Sequence, residues 1–377
     1  MPSIVINNTA HFDFGALSRL EKTLGELGVS RPMLVADKGL TAVGLTQRAV
    51  EAAGARPFTA VFDDTPANPT EAAVLAAVTA YREGGCDGIV ALGGGSPMDL
   101  AKATALLATH EGPLERYGVT LRGSKHIGPV CPLIAIPTTA GTGSEVSTGA
   151  IVILSSGRKE TFISKHLLPP VALCDPELTL GLPKSITAAT GMDAVAHCIE
   201  AILTPVVNPP LEAIGYDGLR RAVGEGWLIR ASEDGSDRQA RWEMMMASLE
   251  GALAFGKGLG AVHSLSHATG RIQDLKLHHG TLNAIYLPGV LRFSADSAPE
   301  KFARMRDAMG LRPGADLADA IVELTVRLGV PTRLGPMGLT EDHIPGIAEY
   351  AETDLAHFTA AKRPTRDDYE GLVREVL

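Results

Sequence analysis

Over the first half of the chain, short β-rich apolar runs alternate with longer stretches of helical periodicity. RPMLVAD (31–37) and FTAVFDD (58–64) read as strands, and LTQRAVEAAG (45–54) and TEAAVLAAVTAYREGG (70–85) as helices. The second helix ends on paired glycines, which suit a carboxyl-terminal cap. GIVALGGGSPMDLAKATALLAT (88–109) runs from strand through a glycine turn into a helix, and PLIAIPTTAGTGSEV (132–146) repeats the plan up to a second turn rich in Gly, Thr and Ser. Strands and helices alternating at these lengths predict parallel β-α-β units covered on both faces. From about residue 183 strand-like runs largely vanish. Amphipathic helices replace them, as in LPKSITAATGMDAVAHCIEAIL (182–203) and ADLADAIVELTVRLGVP (315–331), the latter stopping on Gly-Val-Pro. The expected architecture is an α/β domain with a mainly parallel sheet over residues 1–182 and an all-helical domain over 183–377. No internal repeat or low-complexity segment interrupts it.

A chain of 377 residues suits two cores rather than one. With 41 glycines and 5% aromatic residues, it suits an α/β protein with many tight turns better than a coiled coil or a base-stacking surface. A formal charge of −9 with no basic block argues against nucleic acid as a partner. No stretch reads as long and apolar enough to span a membrane. MPSIVINNTAHF does not read as a secretory leader, so a cytoplasmic location is expected. Cys86, Cys131, Cys174 and Cys198 are scattered without a paired motif, as reduced thiols would be.

Two turns are candidates for a phosphate-bearing ligand. Gly93, Gly94, Gly95 and Ser96 stand between an apolar strand and a helix with Pro97 in its first turn, where a missing N–H costs nothing. Glycines let backbone amides approach a phosphate, and the helix dipole attracts its charge. Asp99 is placed to bond back to the turn. The pattern is not the ordinary GxGxxG fingerprint, and a plain strand-to-helix turn is the alternative. Thr138-Thr139-Ala140-Gly141-Thr142-Gly143-Ser144-Glu145 adds hydroxyls at the end of another strand. Asp37, ending an early strand, suits a ribose hydroxyl and would repel a 2′-phosphate, favouring NAD over NADP; it equally suits a helix cap.

Histidines supply the second candidate chemistry. Asp193 and His197 are four residues apart on one predicted helix, and His263 and His267 repeat that spacing on another, so each pair shares a face. His278 and His279 follow before a glycine. Oxygen and nitrogen donors without thiolate suit Fe²⁺, Zn²⁺ or Mn²⁺.

GGGSPMDLAK (93–102), PTTAGTGSEV (137–146), LPKSITAATGMDAVAHCIEA (182–201) and GAVHSLSH with HHGTLNAIYLP (260–267 and 278–288) together resemble the iron-containing (group III) alcohol dehydrogenases. The resemblance implies a dehydroquinate synthase-like architecture: a dinucleotide-binding α/β domain, a helical domain, and a metal in the cleft between them. It implies Asp193, His197, His263 and His279 as metal ligands, with His267 outside the ligand set and moving protons. It also implies cofactor positions at Gly94, Gly95, Ser96, Asp99, Thr138, Thr139, Thr142 and Lys159, and Asp37 as the NAD-selecting carboxylate. The expected activity is NAD-linked interconversion of a small alcohol and its aldehyde or ketone, by a homodimer carrying Fe²⁺, or else Zn²⁺ or Mn²⁺. Glycerol dehydrogenase-like and maleylacetate reductase-like enzymes share the fold and are the nearest alternatives; a non-enzymatic nucleotide-binding protein is a further one. The His263–His279 stretch is two residues longer than the commonest family spacing, and AFGKGLGAVH (254–263) is one shorter. Lys257 in that loop reads as a solvated surface lysine; facing substrate, it would favour an ω-hydroxy acid.

Overall fold

The computed structural model describes residues 8–377, so the first seven residues of MPSIVINNTAHF lie outside the described residues. The described chain forms two compact units. One comprises residues 8–139 and 143–179, the other Ala140–Thr142 and Leu180–Leu377.

The first unit is built on a six-stranded sheet of β1 (Thr9–Phe12), β2 (Pro32–Val35), β3 (Ala60–Phe62), β4 (Gly88–Gly93), β5 (Leu133–Pro137) and β8 (Val171–Cys174). Its order is β1-β8-β5-β4-β2-β3, and every pairing is parallel. β2, β4 and β5 are buried along their whole length, which is why they read as continuous apolar runs rather than alternating ones. β1 and β8 carry no comparable signal and go unrecognised in the sequence. So does an antiparallel hairpin of β6 (Gly149–Ile153) and β7 (Lys159–Ile163). From β2 the chain moves to β3 on one side, whereas from β4 it moves to β5 on the other. The carboxyl ends of β2 and β4 therefore border the point where winding reverses, the place where open parallel sheets take their ligands. Two apolar clusters, built around Leu100 and Leu106 and around Leu20 and Leu92, cover the two faces.

The second unit holds no strand among the described residues. Its centre is the Lys184–Leu203 helix, in which every residue from Thr187 to Leu203 is buried. The helices Pro209–Leu219, Arg238–Ala254 and His279–Ser294 pack around it. By length and composition this central helix would cross a membrane, which corrects the expectation that no such stretch exists. However, 94% of its apolar window is buried inside the protein. It is apolar all round because protein surrounds it. All four cysteines are free.

Candidate active site

In the first unit, Gly93 to Ser96 join β4 to the Gly95–Thr109 helix. A Cβ on Gly93 would lie 2.5 Å from the Pro97 ring, and one on Gly94 would lie 3.1 Å from Thr139 Oγ1. Gly94 thus packs directly against Thr139 of the second turn, an approach that a side chain at 94 would crowd. The Thr138 amide donates to Gly93 O at 3.0 Å. Thr139 Oγ1 is buried without a hydrogen-bond partner, as a hydroxyl reserved for a ligand would be. Ser96 Oγ donates to Ala67 O at 2.5 Å. Both Asp99 oxygens are engaged, by Ser144 Oγ at 2.8 Å and the Ile151 amide at 3.0 Å, so this carboxylate ties the second turn and the hairpin to the helix. Asp37 caps the Lys38–Ala42 helix, accepting from the Leu40 amide at 3.0 Å. The helix-cap reading therefore holds for one Asp37 oxygen. Lys159 opens β7. Thr142 lies in the segment that belongs to the helical unit.

In the second unit Asp193, His197 and His263 are buried, and one donor atom from each lies within 4.8 Å of the others. Asp193 Oδ1 is the hub: His197 Nε2 stands 3.6 Å from it, His263 Nε2 3.7 Å and His279 Nε2 3.6 Å. His278 is exposed, so the neighbouring His279 is the one that reaches the carboxylate. Donors held about 2.1 Å from one tetrahedral ion sit about 3.4 Å apart, close to these separations.

The outward nitrogens are all engaged. His197 Nδ1 donates to Gly141 O at 3.1 Å, and His263 Nδ1 donates to Glu200 Oε2 at 2.6 Å. His279 Nδ1 lies 3.3 Å from Ser266 Oγ. Bonds of this kind fix the tautomer that aims each Nε2 lone pair inward. One amide donor answers these acceptors. Asn283 Nδ2 lies 2.6 Å from Asp193 Oδ1, 3.2 Å from His263 Nε2 and 3.3 Å from His279 Nε2, while its own Oδ1 is buried without a partner. A buried group with this surplus of acceptors suits a divalent cation. Burial raises the Asp193 pKa, but the three imidazoles more than reverse this and hold it well below the usual range. Burial alone would lower His263; Asp193 and Glu200 bring it up to about 9, giving an imidazolium whose Nε2 proton a bound cation would displace.

Close backbone approach makes the cluster. A Cβ on Gly141 would sit 2.3 Å from Thr190 O, and one on Gly280 would sit 2.1 Å from Ala189 O. Neither the carbonyl that holds His197 nor the helix that starts at His279 could come so near with a larger residue. His267 stands outside the Asp193 group. Its Nδ1 pairs with Asp354 Oδ2 at 3.0 Å, and its ring stacks on His279 with centroids 5.4 Å apart.

Glu200, Asn283 and Asp354 were not singled out in the sequence. Glu200 continues the Asp193–His197 stripe at i+7, and Asn283 follows His279 at i+4, so helical spacing could have flagged both. Asp354 lies 87 positions from its partner, and no local signal points to it. Lys257 corrects an expectation: it is 3% exposed and pairs with Glu212 at 2.8 Å. Burial lowers its pKa, against the Glu212 carboxylate.

A parallel sheet with glycine turns at the carboxyl ends of β4 and β5, and a helical unit with a buried carboxylate–imidazole group, are the parts of a metal-assisted oxidoreductase. Family models described as "Iron-containing alcohol dehydrogenase" and "Fe-containing alcohol dehydrogenase family, C-terminal" match residues 7–176 and 187–377. A 4-hydroxybutyrate dehydrogenase from Cupriavidus necator is 53% identical over 97% of both chains. A 1,3-propanediol dehydrogenase from Klebsiella pneumoniae is 34% identical over 99% of this chain and 98% of its own. The crystal structure of a 1,3-propanediol oxidoreductase superposes with a TM-score of 0.92 at 32% identity, covering 100% of each chain. The chain belongs to the iron-containing alcohol dehydrogenase family and is an alcohol oxidoreductase.

Proposed function

We propose that the protein is an NAD-linked, metal-dependent dehydrogenase of small ω-hydroxy acids, interconverting the terminal alcohol and its aldehyde, and that it works in the cytoplasm as a homodimer. The convergence of three imidazoles on Asp193 carries the metal assignment. The 53% identity to a 4-hydroxybutyrate dehydrogenase carries the substrate class. Asp193, His197, His263 and His279 would hold the ion, Fe²⁺ before Zn²⁺ or Mn²⁺. When bound, the ion supplies Lewis-acid polarisation of the substrate oxygen and NAD⁺ accepts the hydride.

The chain's own residues do the rest. Glu200 and Gly141 O hold His263 and His197 in the tautomer that leaves Nε2 without a proton. Asp354 holds His267 by Nδ1, so Nε2 is the atom at which His267 takes and releases the substrate's proton. Gly94, Gly95, Ser96, Thr138 and Thr139 form the cradle for the pyrophosphate, with Thr142 and Lys159 as further contacts and Asp99 bracing the cradle from behind. The second Asp37 oxygen bonds a ribose hydroxyl and excludes a 2′-phosphate. Lys257 is committed to Glu212, so selection of an acid substrate does not rest on it.

The test is an assay on metal-stripped protein reloaded with Fe²⁺, Zn²⁺ or Mn²⁺. NAD⁺ or NADP⁺ would be offered with 4-hydroxybutyrate, 1,3-propanediol, glycerol and ethanol. The expected result is metal-dependent NADH formation with the highest kcat/KM on 4-hydroxybutyrate. A higher value on 1,3-propanediol would overturn the substrate class, and turnover without metal would overturn the metal assignment.

A further inference from the structure

Lys102 is 1% exposed and lies in the Gly95–Thr109 helix, two turns beyond the Gly94–Ser96 turn. Its ammonium meets four oxygens: Ser144 O at 2.7 Å, Ser144 Oγ at 2.9 Å, Ser147 O at 2.9 Å and Gly149 O at 2.8 Å. All four belong to the stretch leading from the second glycine turn into β6. An ammonium has three protons, so four acceptors saturate it, and nothing remains for a ligand. Asp99, one turn earlier on the same helix face, accepts from Ser144 Oγ and from the Ile151 amide. Lys102 and Asp99 therefore grip one eight-residue span, Ser144–Ile151, through both carbonyls and N–H or O–H groups. An ammonium is tolerated in a protein interior only when its protons meet acceptors. Burial draws the Lys102 pKa down to about 8, with Asp99 and Glu145 holding it up, so the group stays largely charged at neutral pH.

We infer that Lys102 is a positioning residue that acts as a built-in cation, fixing the Ser144–Gly149 stretch against the helix that presents Gly94–Ser96 and so setting the spacing of the two turns that receive the dinucleotide. The inference rests on the NAD reading above. Without the charge, three backbone carbonyls and a hydroxyl lose their shared donor, and the second turn loses its register against the first. Lys102 touches neither cofactor nor substrate, so its loss weakens nucleotide binding more than turnover and leaves the metal group of the other unit intact.

NADH titration followed by fluorescence, with metal content measured alongside, tests this on the metal-loaded protein. For Lys102→Met the expected result is a Kd for NADH raised about tenfold, the loss of one charge-assisted hydrogen bond. KM for NAD⁺ should rise in parallel, with a smaller change in kcat and wild-type metal content. For Lys102→Ala, added propylamine should restore much of the affinity, whereas tetramethylammonium, a cation without N–H donors, should not. A folded Lys102→Met protein that binds NADH within twofold of wild type would overturn the inference. If Lys102→Met does not fold, Ser144→Ala carries the test, with an expected rise of about threefold in Kd and no change as the overturning result. A wild-type protein that fails to bind NADH would instead remove the NAD reading, and this inference with it.

Discussion

Glu200 is the residue whose alteration tests the metal group most sharply without touching a donor atom. It lies two helical turns from Asp193 on the central helix and is 4% exposed. One oxygen accepts the Val262 amide at 2.8 Å. The other accepts the His263 amide at 3.3 Å and His263 Nδ1 at 2.6 Å. Glu200→Gln keeps the shape and replaces one acceptor with an NH₂ donor. Either the amide faces the Val262 N–H, donor against donor, or it faces His263. In the latter case it drives the imidazole to the tautomer with its proton on Nε2, aimed at Asp193. A hydrogen bond to a charged group contributes about 1.5–3 kcal/mol, and losing an outer partner of a metal-bound histidine weakens metal affinity about 10- to 100-fold. The expected outcome is a 10- to 100-fold rise in the metal dissociation constant, read by competition with a chromophoric chelator at constant pH. The metal-free protein should still melt cooperatively, since one carboxamide oxygen still caps the Ala261–Gly270 helix. A Glu200→Gln protein that binds metal within twofold of wild type would refute the idea that Glu200 sets the His263 tautomer.

Other outcomes follow from the same geometry. Asp354→Ala removes the acceptor at His267 Nδ1 and should lower kcat about a hundredfold at unchanged metal content, measured by steady-state kinetics and elemental analysis. Gly280→Ala drives a methyl to within 2.1 Å of Ala189 O, so it should cost about 1–3 kcal/mol in denaturant unfolding and reduce retained metal. Burial and the Asp217 carboxyl raise Glu250 from 4.5 to about 8. Its contribution is fully present below pH 4.5 and is lost as pH rises through 8. At roughly 1.4 kcal/mol per unit, the stability of Glu250→Gln relative to wild type should improve by about 2–4 kcal/mol between pH 5 and pH 9; urea denaturation showing a pH-independent difference would contradict this.

What the sequence determined by itself was local. Helical spacing put Asp193 with His197 and His263 with His267 on shared faces, and apolar runs broken by glycine turns marked β2, β4 and β5. These signals survive because a helix repeats every 3.6 residues and a buried parallel strand is apolar on both faces. Spacing did not separate the two histidines: His263 converges on Asp193, whereas His267, on the same helix face, turns to Asp354. Asp354, Glu212 and Gly141 act on partners far along the chain, and only packing brings them there. Lys257 read as solvated because an isolated lysine belongs in water; a carboxylate 45 positions away makes its burial tolerable. Lys102, one residue in a helix that begins like many others, became a four-coordinate cation when the Ser144–Gly149 stretch closed over it. Residue type and period are properties of the chain. Which acceptor satisfies a buried charge is decided when the fold removes water and leaves that charge to find partners inside the protein.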